Sequence, residues 1–250
     1  MKKSHIILIT STISLLVIVI IATGFVIWAS AALGPTPEAL AALQSDDQVK
    51  IIDNPSWITF QPINRPVDTG FIFYPGGKVE FRSYAPALRQ IAKAGYLVIL
   101  PNMPLNLAIF DPNKANEIIK TFPQIMKWAV GGHSLGGSMA AMYTAANPDK
   151  IKGLVLWASY PASTDDLHDK GVKVLMIFGT LDGLVTQSKL DAARNLLPLD
   201  TSWVPIPGGD HGQFGDYGSQ PGDNPATISP LEQQMATVKA TVLFLQNLSK

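Results

Sequence analysis

The stretch "VGGHSLGGSM" carries the clearest chemical meaning in this sequence. Gly132-His133-Ser134-Leu135-Gly136 fits the pattern G-x-S-x-G, and it falls between an apolar run, "WAVGG", and a helix-forming run, "SLGGSMAAMYTAA". A serine in such a strand-to-helix turn projects its hydroxyl above a sheet edge. Residues two positions away on either side must lack bulk for the chain to close around it, and Gly132 and Gly136 meet that need. Ser134 is the candidate nucleophile.

A serine hydroxyl near its free pKa is a weak nucleophile and needs a base. The four histidines are His5, His133, His168 and His211. His5 lies in the apolar N-terminus, and His133 should point away from the Ser134 side chain. His168 sits in the polar run "STDDLHDKG", where solvation is expected. His211 remains, between the last strand-like run and the last helical one. The base in turn needs an orienting carboxylate. Asp182, in "MIFGTLDGLV", follows an apolar run and lies between Ser134 and His211, the order Ser, Asp, His. Asp210 adjoins His211 and is badly placed to bridge to its ring. Asp165 and Asp166 fall in an earlier loop.

Acyl transfer also needs N–H donors for the oxyanion. The backbone of Leu135, the residue after the nucleophile, is one expected donor. The second is expected from "YPGGKVE", at Gly77, with Gly76 and Lys78 as alternatives. In "PNMPLNLAIFDP", Met103, Leu105, Leu107 and Phe110 are candidates for an apolar acyl pocket. This residue set calls for no metal and no organic cofactor.

These groups need a scaffold. From Val49 onward, short apolar or β-branched runs alternate with helical patterns, which predicts a mostly parallel sheet covered by helices on both faces, an α/β fold. The strands read as "VKII", "WITFQPI", "GFIFYP", "YLVILP", "WAVGG", "IKGLVLWAS", "VKVLMIFG" and "SWVPIPG". Only about a dozen residues join "WAS" to "VKVL", too few for a large inserted cap domain. "GGDHGQFGDYGSQPGDN" has the composition of a linker but carries His211. It is expected to be ordered, with Phe214 and Tyr217 as anchors, because a base must be held within hydrogen-bond reach of its proton.

With 250 residues, formal net charge zero and no basic stretch, nucleic acid is not an expected partner. There is no cysteine, which excludes disulfides and thiol nucleophiles. Between Lys3 and Glu38 no charged side chain of Asp, Glu, Lys or Arg occurs, and the run is longer than the roughly 20 apolar residues that span a bilayer. Residues 1–34 are expected to be a membrane anchor, 35–48 a spacer and 49–250 the main domain. Lys2 and Lys3 before the run place the N-terminus in the cytoplasm and the domain outside the cell membrane. Ala29-Ser30-Ala31 also fits a small-x-small cleavage site, which would make the protein secreted.

The chain resembles the α/β-hydrolase superfamily. It is most similar to a compact bacterial group described as dienelactone-hydrolase-like, through "FYPGGKV", "MPLNLA", "GGHSLGG", "GTLDGL" and "GGDHGQFGDYG", and the resemblance covers about residues 50–248. It implies the same Ser134, His211 and Asp182, and an ester or thioester substrate. Dienelactone hydrolases proper use a cysteine nucleophile, which this chain lacks, so lactone specificity is not implied. Two other readings stand beside a small-molecule esterase: a hydrolase of lipids beside the membrane, and an anchored binding module that keeps the fold without catalysis.

Overall fold

The computed structural model describes residues 3–63 and 65–249. Along the chain the helices are α1 (Lys3–Ser30), α2 (Pro37–Ala41), α3 (Ala85–Lys93), α4 (Lys114–Thr121), α5 (Leu135–Ala146), α6 (Gln187–Ala193) and α7 (Pro230–Ser249). The strands are β1 (Val49–Asp53), β2 (Trp57–Pro62), β3 (Thr69–Tyr74), β4 (Leu97–Pro101), β5 (Lys127–His133), β6 (Gly153–Trp157), β7 (Lys173–Gly179) and β8 (Ser202–Ile206). They form one sheet in the order β1-β2-β4-β3-β5-β6-β7-β8. β1 pairs antiparallel with β2, and β2 antiparallel with β4; all later pairs are parallel. This is the mostly parallel α/β architecture expected from the alternation of runs, and no large cap domain interrupts it among the described residues.

The two-residue period of the strands feeds two cores. In β3, Phe71 and Phe73 join Tyr84, Leu88 and Ile91 around α3, with Leu245 of α7 in the same cluster. Ile72 and Tyr74 point the other way, toward Ile118 of α4, Met139 of α5 and Leu190 of α6. β6 divides likewise, with Val155 and Trp157 on the first side and Leu154 and Leu156 on the second. Burial on both faces explains why these strands read as continuous apolar runs.

β3 and β5 are neighbours, with Tyr74 beside Gly132. The chain leaves β3 toward β4 on one side and leaves β5 toward β6 on the other. Such a switch point opens a crevice beyond the C-terminal strand ends, where ligands bind in open parallel sheets.

The segment read as a spacer, together with Leu33 at the end of the segment read as an anchor, is tied to the sheet domain. Thr36 caps α2, accepting the Ala39 N–H at 3.2 Å. The Leu33 N–H donates to the Lys78 carbonyl at 2.8 Å, and the Glu80 N–H donates back to Leu33 at 2.9 Å. Arg89 holds the carbonyl of Ala42 at 2.9 Å and the carboxylate of Asp46 at 2.6 Å. Before it, Thr10–Ser30 of α1 has mean hydropathy 2.5 and is long and apolar enough to cross a membrane, a character that a signal sequence shares.

Candidate active site

Ser134 follows β5 and precedes α5 with φ 52° and ψ −123°. Few non-glycine residues occupy positive φ, and holding one there costs on the order of 1–3 kcal/mol. The turn is held from both sides. The Ser134 N–H donates to the Trp157 carbonyl at 3.0 Å, and its own carbonyl accepts the Ser159 hydroxyl at 2.6 Å. The flanking glycines are required by contact: a Cβ on Gly136 would meet the carbonyl oxygens of Tyr74 and Pro75, and one on Gly132 would stand 2.6 Å from the Tyr74 oxygen.

His211 follows β8 and is almost fully buried. Its Nδ1 lies 2.9 Å from Oδ2 of Asp182, beyond β7. The other carboxylate oxygen of Asp182 accepts the N–H groups of Leu184 (2.8 Å) and Val185 (2.6 Å). With Nδ1–H donated to Asp182, Nε2 of His211 keeps its lone pair. That atom is buried without a hydrogen-bond partner among the described residues. His211, Ser134, Leu135, Ser138, Ser159 and Tyr160 line one cavity of about 180 Å³. Nε2 and the Ser134 hydroxyl are not hydrogen-bonded to each other, and such bonds are often long until substrate binds.

Asp210 does not compete for the ring. Its side chain accepts the Gln213 N–H at 2.8 Å, and burial raises its pKa above the ordinary carboxylate value. The backbone of Asp210 is clamped by the buried Gln233 of α7, which accepts its N–H at 3.0 Å and donates to its carbonyl at 2.8 Å. His168 is partly exposed and pairs with Asp169 at 2.9 Å, in a loop outside this cavity. Asp165 and Asp166 stay in that loop too.

The loop after β3 distinguishes its three candidate amides. The Gly76 N–H donates to the Tyr84 hydroxyl at 3.0 Å, and the Lys78 N–H donates to the Asn106 carbonyl at 2.9 Å. Gly77 has no such partner among the described residues and packs on Leu135; a Cβ there would lie 2.9 Å from the Leu135 side chain. Leu135 opens α5, where the first N–H groups of a helix have no partner within it.

A second layer lies beneath, and the sequence reading missed it. Tyr84 stands 2.8 Å from Nδ1 of His133. Burial pushes the Tyr84 phenol far up, so it stays protonated and donates to His133 while accepting from Gly76. Burial, and then the neighbouring His211, hold His133 well below its ordinary value of 6.5, so it is neutral. The two histidine rings are 4.5 Å apart, and Phe214 stacks on His133 at 5.7 Å. Phe214 is fully buried, and Tyr217 packs 6.4 Å from Tyr84. The linker-like stretch is therefore packed through these two rings.

Asp223 was also missed. Its Oδ2 accepts the N–H groups of His211 and Gly212, both at 2.8 Å, and its Oδ1 accepts that of Gly183 at 2.9 Å. In sequence it is one polar residue in "QPGDN", indistinguishable from a turn former.

The residues expected to form an apolar pocket lie in several places. None of Met103, Leu105, Leu107 and Phe110 lines the cavity at Ser134. Met103 is buried in the core around α4 and α5. Leu107 packs near Gly77, and Leu105 takes up a left-handed turn at φ 53°. Phe110 is half exposed and meets Phe25 of α1. Apolar character buries Met103 and Leu107, but against other neighbours, and leaves Phe110 half exposed.

A family model described as the alpha/beta hydrolase family matches residues 70–235, more than half of the chain. The chain belongs to the alpha/beta hydrolase family. The hydrolase has no match among the curated proteins. It is similar in fold to a CIB-like hydrolase from Thermoplasma acidophilum, with TM-score 0.56 and 20% identity over 80% of this chain and 98% of that one. It is also similar to Est1E from Butyrivibrio proteoclasticus, with TM-score 0.55 and 16% identity over 82% of this chain and 100% of that one. The matched region takes in Ser134, Asp182, His211 and Asp223.

Proposed function

We propose that this hydrolase is a membrane-anchored serine hydrolase that cleaves a carboxylic ester or thioester through an acyl-enzyme. The observation that carries the reading is His211, bonded at Nδ1 to Asp182 while its free Nε2 belongs to the residue lining the Ser134 cavity. Ser134 Oγ attacks the carbonyl carbon, and its proton passes to Nε2. The N–H groups of Leu135 and Gly77 receive the oxyanion. Collapse breaks the bond to the leaving alkoxide or thiolate, which takes the proton from His211. A water then attacks the acyl carbon, gives its proton to Nε2, and the acid leaves as the proton returns to Ser134. Asp182 fixes the tautomer throughout and stabilises the imidazolium.

Retention of α1 as an anchor is part of the proposal, with the N-terminus cytoplasmic and the catalytic region outside. Two contacts at the end of α1 support it: Ala29 is fully buried, and the Lys78 ammonium lies 4.3 Å over the Trp28 ring.

The test is pre-steady-state hydrolysis by the full chain in detergent, using p-nitrophenyl esters of short and long acids, a thioester and a lactone. A burst of p-nitrophenol followed by slower turnover is expected, with both phases lost in His211→Ala. No turnover of any ester or thioester by the folded wild-type protein would overturn the reading in favour of a non-catalytic module.

A further inference from the structure

The end of α1 and the loop after β4 meet at a surface that the catalytic proposal does not use. The Phe110 ring lies 6.0 Å from that of Phe25, edge to face, and Phe25 in turn lies 5.8 Å from Trp28. Ile109 and Phe110 are both about half exposed, at 54% and 51%. No charged residue occurs from Asn102 to Phe110.

Depth can be read along the helix. Thr10–Ser30 spans about 31 Å at 1.5 Å per residue, close to the roughly 30 Å of a hydrocarbon core. Phe25 lies five residues before Ser30, so about 7.5 Å inside the outer end of α1. A side chain in contact with Phe25 is below the level at which the span ends. Trp28 with Lys78 above it has the composition of a membrane–water boundary, an aromatic ring with an ammonium reaching toward the headgroups.

The same loop reaches the candidate catalytic groups. Asn106 accepts the Lys78 N–H, and Leu107 and Leu135 both close on Gly77. The cavity at Ser134 is about 180 Å³, whereas sites that enclose a drug-sized ligand measure about 300–1,000 Å³. It can take the ester group and little more, so the rest of a larger substrate must lie outside it.

We propose that Ile109 and Phe110 insert into the outer leaflet beside α1, and that Ser134 acts on the ester of an amphiphile whose apolar chain remains in the lipid. The proposal rests on the anchored serine-hydrolase reading. The lipid is the chosen occupant because the patch continues the surface of the span itself.

The chain has no cysteine, so a single introduced one can be labelled cleanly. Full-length Ile109→Cys carrying an environment-sensitive fluorophore is placed in phosphatidylcholine vesicles, with Leu199→Cys, at a site 94% exposed, as the control. The label at 109 is expected to be quenched by a nitroxide on the lipid chains and shielded from aqueous iodide; the label at 199 should behave oppositely. Ile109→Asp should lower kcat/KM for a long-chain 4-methylumbelliferyl ester dissolved in the vesicles by about tenfold, while p-nitrophenyl acetate turnover stays unchanged. Iodide quenching at 109 equal to that at 199 would overturn the proposal. So would shielding from both quenchers in a dimer, which would make a second copy the occupant, or an equal loss on both esters. Lipid quenching at 109 with full hydrolysis by Ser134→Ala would instead remove the serine-hydrolase reading and keep the membrane seat.

Discussion

Asp223 joins the loop of His211 to the loop of Asp182 through one carboxylate, taking the His211 N–H at 2.8 Å on one oxygen and the Gly183 N–H at 2.9 Å on the other. It touches no candidate reacting atom, yet it sets where both loops stand.

Asp223→Ala should therefore lower kcat by about 100-fold, the scale of an ångström-level misplacement, with KM nearly unchanged. Asp223→Asn should recover part of the loss, because its carbonyl oxygen still accepts while its amide opposes the remaining N–H. Steady-state kinetics together with circular dichroism check this. A loss shared by folding and KM would make Asp223 a structural residue only.

The neutral His133 makes stability depend on pH. Its folded pKa lies below the ordinary value of 6.5 because it is buried against His211. Below about pH 6.5 the unfolded chain binds a proton that the folded one refuses, so stability falls as pH drops from there toward the folded value. The wild-type Tm should decline between pH 7 and about 5. His133→Gln should start lower and show a flatter profile, as thermal melts across that range would reveal.

Tyr84→Phe removes the bridge between Gly76 and His133 and leaves two buried polar groups without a partner. A loss of about 1–3 kcal/mol in urea unfolding is expected. Turnover should fall as well, since Gly76 carries Gly77. Unchanged kcat in the folded variant would detach this layer from catalysis.

Gly136→Ala should cost more than Gly212→Ala. At Gly136 the new methyl meets backbone oxygens of Tyr74 and Pro75, which cannot step aside. At Gly212 the nearest neighbour is 3.4 Å away, an ordinary contact. A Tm drop reflecting about 1–3 kcal/mol of overpacking is expected for the first and almost none for the second.

What could be read from sequence was local or ordinal. The elbow at Ser134 lies within one strand-to-helix turn, so its glycines and serine identify it together. Asp182 and His211 follow from the chain order Ser, Asp, His and from their places just after strand-like runs, neither of which needs a distance. Asp223 and Tyr84 act only once the chain has folded back across many residues, and no local pattern marks that return. In the apolar loop 103–110, Met103 and Leu107 are buried while Ile109 and Phe110 stay half exposed, so hydrophobicity alone names neither the degree of burial nor the partner. Thr36 followed by Pro37 is a helix-start signal, and α2 begins there inside the stretch whose composition reads as a spacer.

The central claim is a covalent centre at Ser134. Full-length protein treated with a fluorophosphonate and digested for mass spectrometry should carry a single adduct, on the peptide containing Ser134, and Ser134→Ala should carry none. Ser138 and Ser159 line the same cavity and provide an internal control. An adduct on either of them, or undiminished labelling of Ser134→Ala, would contradict the account.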